Sequence, residues 1–142
     1  MKIEGACHCG KIRYEAEVDP ARVTICHCTD CQVLSGSAFR TVVPAPKASF
    51  RLLSGQPKIY VKTGDSGSNR TQSFCADCGT PIYSSPVTED FPAYSLRVGP
   101  IRQRAQLRPK VECFRKSALD WNPGLAGTKR FDECTHRPIR DE

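Results

Sequence analysis

Hydrophobic and polar positions alternate strictly through "KIRYEAEV", where Ile12, Tyr14, Ala16 and Val18 are separated by charged residues. This period of two is the mark of a strand with one buried face. Short runs rich in β-branched and aromatic residues follow in "AFRTVVPA", "SFRLLS", "KIYVKT", "TQSFC" and "AYSLRVG", with Gly, Pro, Asp and Ser between them. Each reads as a short strand bounded by turns. Helical periodicity is weak: one short helix is expected in "TDCQVLSG", opened by Thr29 and ended by Gly36, whereas "TGDSGSN", residues 63–69, reads as a flexible turn. No internal repeat, low-complexity tract or linker divides the chain. The pattern predicts one mainly β domain of short strands over residues 1–142, with 135–142 as a polar tail.

A length of 142 residues suits a single domain able to bury a core without covalent staples. No segment approaches the roughly 20 apolar residues that span a bilayer. The opening "MKIEGACHCGKIRYE" has no apolar run behind its basic residue, so neither a secretory signal nor a membrane anchor is expected and the reducing cytoplasm is the expected compartment. Nine cysteines are dense for this length, and an odd number would leave one sulfur unpaired in a complete set of internal disulfides. In that compartment clustered cysteines read as metal ligands rather than bridges.

Their spacing forms groups. Cys7 and Cys9 make a CxC pair, Cys26, Cys28 and Cys31 a CxCxxC triplet, and Cys75 and Cys78 a CxxC pair followed by Gly79, while Cys113 and Cys134 stand alone. Residues two apart on an extended strand point to the same face, so a CxC can aim two sulfurs at one ion. In "FCADCGTPIY" the two thiols flank a tight turn whose amides can support them. The two half-sites add up to one tetrahedral site of Cys7, Cys9, Cys75 and Cys78, with zinc as the expected ion and a structural role, since no position is left open. Buried apolar cysteines or a redox pair are the alternatives.

The triplet of Cys26, Cys28 and Cys31 offers three sulfurs. If nothing else reaches it, the fourth position belongs to water or substrate, as in a catalytic zinc site. Closure by Cys113, Cys134 or His27, a second structural zinc, and an iron centre are the competing readings. His8 and His27 each lie between two cysteines, where an extended chain points them away from the shared ion, so they are expected at the surface or as supports of the ligands. His136 reads as a solvated residue of the tail.

The formal net charge is +6. It is concentrated between residues 97 and 116, where Arg97, Arg102, Arg104, Arg108, Lys110, Arg115 and Lys116 face the single acid Glu112. Such a stripe could meet phosphates or a small carboxylate-bearing metabolite. Thiolates at two zinc sites would lower the net positive charge, and charge alone does not select a partner. Tyr60, Phe74, Tyr83 and Phe91 are candidate stacking surfaces, although aromatic residues in strands are more often core.

"GACHCGKIRYE", "CHCTDCQVLSGSAF", "LLSGQPKIY", "GSNRTQSFCADCGTPIYS" and "SALDW" resemble, in order and over nearly the whole chain, the glutathione-dependent formaldehyde-activating enzyme family, which also contains a mammalian centromere protein. The resemblance implies a β-tent domain with two zinc ions. Carried over, the structural zinc falls to Cys7, Cys9, Cys75 and Cys78, and the catalytic zinc to Cys26, Cys28 and Cys31. It further implies a carbon–sulfur lyase reaction in which a small thiol, glutathione in the named enzyme, adds reversibly to formaldehyde. Thr29 and Gln32 are then candidates for hydrogen bonds to sulfur or substrate, and Arg70 for orienting a carboxylate. The chain departs from the family in having "PIRQR" after "RVG", where an acidic stretch is common, and Glu112 where a histidine is common. Both departures bear on the identity of the thiol and aldehyde. A non-catalytic zinc module that binds nucleic acid or protein is the alternative function. Membrane partners are not expected, and the sequence carries no sign of subunit number.

Overall fold

In the computed structural model, which describes residues 1–64 and 67–134, the alternation seen in the sequence becomes strand β2 (Arg13–Glu17). Ile12, Tyr14, Ala16 and Val18 are all buried, as the pattern requires. Strand β1 (Lys2–Ala6) runs antiparallel along one side of β2, and β5 (Arg51–Ser54) along the other, giving a three-stranded sheet. Gly5 stands opposite Tyr14 in this register. A Cβ at Gly5 would lie 2.0 Å from Tyr14 Cζ, so the tyrosine ring occupies the space that a side chain would need.

The second sheet contains eight strands among the described residues. Across the sheet they are β11 (Lys129–Arg130), β10 (Val111–Cys113), β3 (Thr24–Cys26), β4 (Arg40–Pro46), β9 (Ala93–Arg97), β8 (Pro81–Pro86), β7 (Asn69–Phe74) and β6 (Lys58–Thr63). The mainly β, single-domain expectation holds. Pairing is not wholly antiparallel, however, because β10 lies parallel to both β3 and β11. Neither contact is made by a hairpin: residues 27–110 separate β3 from β10 and residues 114–128 separate β10 from β11, long enough in each case to return in the same direction.

Alternation along the central strands gives the large sheet two different faces. Val43 and Ala45 of β4 and Leu96 of β9 are fully buried on one face and, with the buried Ile82 of β8, join Ile3, Tyr14 and Ala16 of the small sheet in one core. Phe50 sits at the junction of the sheets, with its ring 5.5 Å from Tyr14, 5.5 Å from Tyr83 and 4.7 Å from Tyr94. Tyr83 therefore belongs to the packing, whereas Tyr60 on edge strand β6 is 55% exposed. The opposite face carries Arg40, Val42 and Pro44 of β4, Ser95 and Arg97 of β9, and Arg70 and Gln72 of β7, which line a cavity.

Replacing Gly5 with alanine is expected to lower unfolding stability by about 1–3 kcal/mol, the usual cost of overpacking. Denaturant unfolding would show the midpoint fall, and an unchanged midpoint would contradict the close approach to Tyr14.

Candidate metal centres and the adjoining cavity

Cys7 and Cys9 lie in a tight turn after β1 rather than on an extended strand, which corrects the geometry expected from the CxC spacing. The Gly10 N–H donates to the Cys7 carbonyl at 3.0 Å and the Cys7 N–H to the Ile12 carbonyl at 3.0 Å. The turn still puts both sulfurs on one side, 3.6 Å apart. Cys75 and Cys78 flank the expected turn between β7 and β8. There the Gly79 N–H donates to the Cys75 carbonyl at 2.8 Å, and Gly79 adopts φ 80°, a left-handed conformation that favours glycine.

The two turns meet. The His8 N–H donates to Thr80 Oγ1 at 3.0 Å, and Cys9 Sγ comes within 3.8 Å of Cys75 Sγ. All four sulfurs lie within 4.8 Å of one another and could hold a metal ion. Tetrahedral coordination with metal–sulfur bonds of about 2.3 Å separates sulfurs by about 3.8 Å, so the observed spacing fits. These separations exceed a disulfide bond of about 2.05 Å by far. The Ile12 N–H donates to Cys7 Sγ at 3.2 Å, and the Thr80 hydroxyl and then its backbone N–H hold Cys78 down at about 5. Cys9 moves the other way: the Lys11 backbone N–H lowers it, but burial and the neighbouring thiols outweigh that and push it up to about 11. His8 is exposed, as expected.

The triplet is assembled at the end of β3 and the start of helix α1 (Thr29–Ser35). Cys26 ends the strand, Cys28 is the N-cap and Cys31 lies in the first turn, its N–H donating to Cys28 Sγ at 3.3 Å. The helix ends at Gly36 as predicted, but Cys28 rather than Thr29 occupies the capping position. The three sulfurs lie within 4.8 Å of one another and could hold a metal ion. Contacts from the Cys26 and Cys31 thiols hold Cys28 well below the ordinary thiol range, whereas the contact with Cys28 pushes Cys26 up.

The candidate fourth ligands are engaged elsewhere. Cys113 pairs in register with Cys26 on the neighbouring strand, but it forms a disulfide with Cys134. His27 is buried, and its Nε2 lies 2.7 Å from Glu112 Oε1. Glu112 Oε2 also accepts from the Leu125 N–H at 2.9 Å and the Thr128 hydroxyl at 2.5 Å. Burial would raise the Glu112 carboxyl, but the bonds from Thr128, His27 and Leu125 outweigh it and hold it at about 2. Gln32 does not reach a sulfur: its side-chain amide donates to the carbonyls of His27 at 2.8 Å and Ser117 at 3.0 Å. His136 and the 135–142 tail lie outside the described residues.

A cavity of about 350 Å³ opens over the triplet. Besides Cys26, Cys28 and Cys31, its lining includes Arg40, Arg70, Gln72, Arg97 and the Cys113–Cys134 pair. Arg40 stands opposite Cys26 across β3 and β4, which places Cys113, Cys26 and Arg40 in one row on three adjacent strands. Gln72 Oε1 accepts from Arg40 at 3.1 Å and from Arg97 at 2.7 Å. Burial and then the neighbouring Arg40 lower Arg97 to about 9. Arg70 Nη2 donates to Ser84 Oγ at 2.9 Å. The basic stripe read from the sequence does not form one face, because Arg97 is turned into the cavity and Arg115 lies 3.4 Å from Glu112, while Arg102 and Lys116 pair with Glu4 and Glu133. Arg40 and Gln72 were not singled out in the sequence. Their only signal is a polar residue on strands whose other face is apolar.

A mainly β domain with two cysteine clusters, one of which contributes its sulfurs to the lining of the 350 Å³ cavity, defines a class of small candidate metalloproteins. The model of the glutathione-dependent formaldehyde-activating enzyme family matches residues 2–117, and the chain belongs to that family. A Schizosaccharomyces pombe protein named as an uncharacterized lyase is 29% identical over 80 residues, covering 56% of this chain and 55% of that protein. The match therefore spans about half the length of that relative. A crystal structure of a Rhodobacter sphaeroides protein shares the fold, with a TM-score of 0.55 and 20% identity over 70% of this chain and 87% of that one.

Because the folded-state pKa of Glu112 is lowered from 4.5 to about 2, its contribution is complete above pH 4.5 and is lost as pH falls toward 2. That contribution is on the order of 3 kcal/mol. The stability gap between wild type and Glu112→Gln, followed by chemical unfolding against pH, should close across this window. A gap independent of pH would contradict the assignment.

Proposed function

We propose that the protein is a zinc-dependent carbon–sulfur lyase that makes and breaks the adduct of a small thiol with a small aldehyde. Glutathione and formaldehyde are the pair to which the family's name points. The observation that carries this reading is the difference between the two clusters: four sulfurs lie outside the lining of the 350 Å³ cavity and three stand within it. Cys7, Cys9, Cys75 and Cys78 would hold a structural zinc that ties the turn after β1 to the turn between β7 and β8. Cys26, Cys28 and Cys31 would hold the catalytic zinc, leaving one position for substrate. Zinc bound there supplies a positive charge that favours the deprotonated form of an entering thiol.

In the synthetic direction the thiol sulfur forms a bond to the aldehyde carbon, the carbonyl π bond breaks, and the thiol proton ends on the resulting alkoxide oxygen. Cleavage is the reverse, with no oxidant or reductant. The chain's part is to hold the reacting sulfur over the triplet, confine the aldehyde in the cavity, and supply the positive floor of Arg40 and Arg97 near the negative charge of the thiolates. The His27–Glu112 contact fixes the segment between Cys26 and Cys28 against β10, and Gln32 fixes the start of α1 to the same side. The domain spanning residues 1–142 would work on a small metabolite.

Native mass spectrometry with elemental analysis is expected to find two zinc ions per chain and one in Cys28→Ser. Exchange between free thiol and adduct, followed by NMR, should fall in that variant by more than the roughly 10–100-fold that outer partners of metal ligands typically cost. Full exchange in Cys28→Ser, or a single zinc in the parent protein, would overturn the reading.

A further inference from the structure

Two buried cations face the thiol triplet without a carboxylate between them. Arg40 and Arg97 are each 7% exposed. Among the described residues each guanidinium makes one hydrogen bond, and both bonds go to the same acceptor, Gln72 Oε1, at 3.1 and 2.7 Å. None of the described ion pairs, taken to 4.0 Å, gives either arginine an acidic partner. A guanidinium has five N–H donors, and a buried charge with one neutral partner is costly. The remaining guanidinium nitrogens are not among the buried polar atoms sealed without a partner, and both side chains line the cavity.

Part of the counter-charge would come from sulfur, since the triplet lines the same cavity as both arginines. It is not enough. Three thiolates with one divalent ion carry a single negative charge, whereas the two arginines carry two positive ones. Gln72 holds the guanidiniums together through a neutral oxygen, so it fixes their position without cancelling their charge. Both arginines border the cavity beside the triplet, where a small molecule on the sulfurs would extend, and both also border a second cavity lined by His8, Thr80 and Arg104.

We propose that Arg40 and Arg97, bridged by Gln72, form an oxyanion-binding floor that takes a carboxylate of the substrate, so that the cavity selects a carboxylate-bearing thiol–aldehyde adduct over a neutral one. This rests on the thiol–aldehyde reading of the triplet. The carboxylate could belong to the thiol half or to the aldehyde half, and the recognition chemistry is the same. Charge-assisted bonds to a planar carboxylate suit paired guanidiniums, which present parallel N–H donors.

The test is calorimetric binding to the zinc-replete full chain at low salt, with matched probes: 3-mercaptopropionate against 3-mercaptopropan-1-ol, and glyoxylate against glycolaldehyde. The charged member of at least one pair should bind about tenfold or more tightly than its neutral partner, the scale expected of hydrogen bonds to a charged group. The pair that shows the preference identifies the half that carries the carboxylate. Gln72→Glu, which keeps the side-chain shape and adds a neutralising carboxylate, should reduce the preference to below about threefold, as should Arg97→Gln. Equal affinities within both pairs in the wild type would overturn the floor, and with both thiols bound would leave the lyase reading standing. A preference that persists unchanged in folded Gln72→Glu would also overturn it. Tight glyoxylate binding with no binding of either thiol would support the floor and count against the lyase reading.

Discussion

Seven sulfurs held in two groups, with all members of each within 4.8 Å, impose the constraint on which the rest of the structure depends. Thiolates at this distance repel one another strongly in a partly buried setting. They can remain together only by sharing protons or a cation. In the four-sulfur group the result is a junction between the turn after β1 and the turn between β7 and β8, joining the small sheet to the large one. In the triplet it is a junction between β3 and α1, fixed beside β10 through His27, Glu112 and the Cys113 carbonyl.

The large sheet explains why a small chain can support both a core and a cavity. Each central strand gives alternate residues to opposite faces: Val43 and Leu96 go to the core, while Arg40, Arg97 and Gln72 go to the cavity. The two faces therefore answer to different demands. The core face needs apolar volume, and the cavity face needs polar groups that satisfy one another or a ligand. Side-chain chemistry follows the same division, with the three sulfurs at one side of the cavity and the guanidiniums at its floor.

Features that depend on local spacing were legible in the sequence. The alternation of Ile12, Tyr14, Ala16 and Val18 fixed the buried face of β2, and cysteine spacing grouped the same seven residues that the fold brings together. The turn at Gly79 and the helix end at Gly36 were also readable, because left-handed backbone has a local residue preference. What was missed depends on distance along the chain. Strands β3 and β10 have three residues each, too few to show a period, and the Pro residues bounding β8 resemble turn signals. The Cys113–Cys134 disulfide, the His27–Glu112 contact and the Arg40–Gln72–Arg97 group join residues whose partners have no spacing rule. Arg97 looked like a member of a surface stripe because charge in sequence does not specify direction; its place on β9 turns it inward.

X-ray absorption at the zinc edge of the metal-replete protein tests the central claim most directly, because it counts the sulfurs around each ion. Seven cysteine sulfurs shared between two ions predict a mean of about 3.5 sulfurs per zinc at about 2.3 Å, with a light atom completing the average shell. A mean of four sulfurs would mean that both sites are closed, and would contradict an open position at the Cys26, Cys28 and Cys31 triplet.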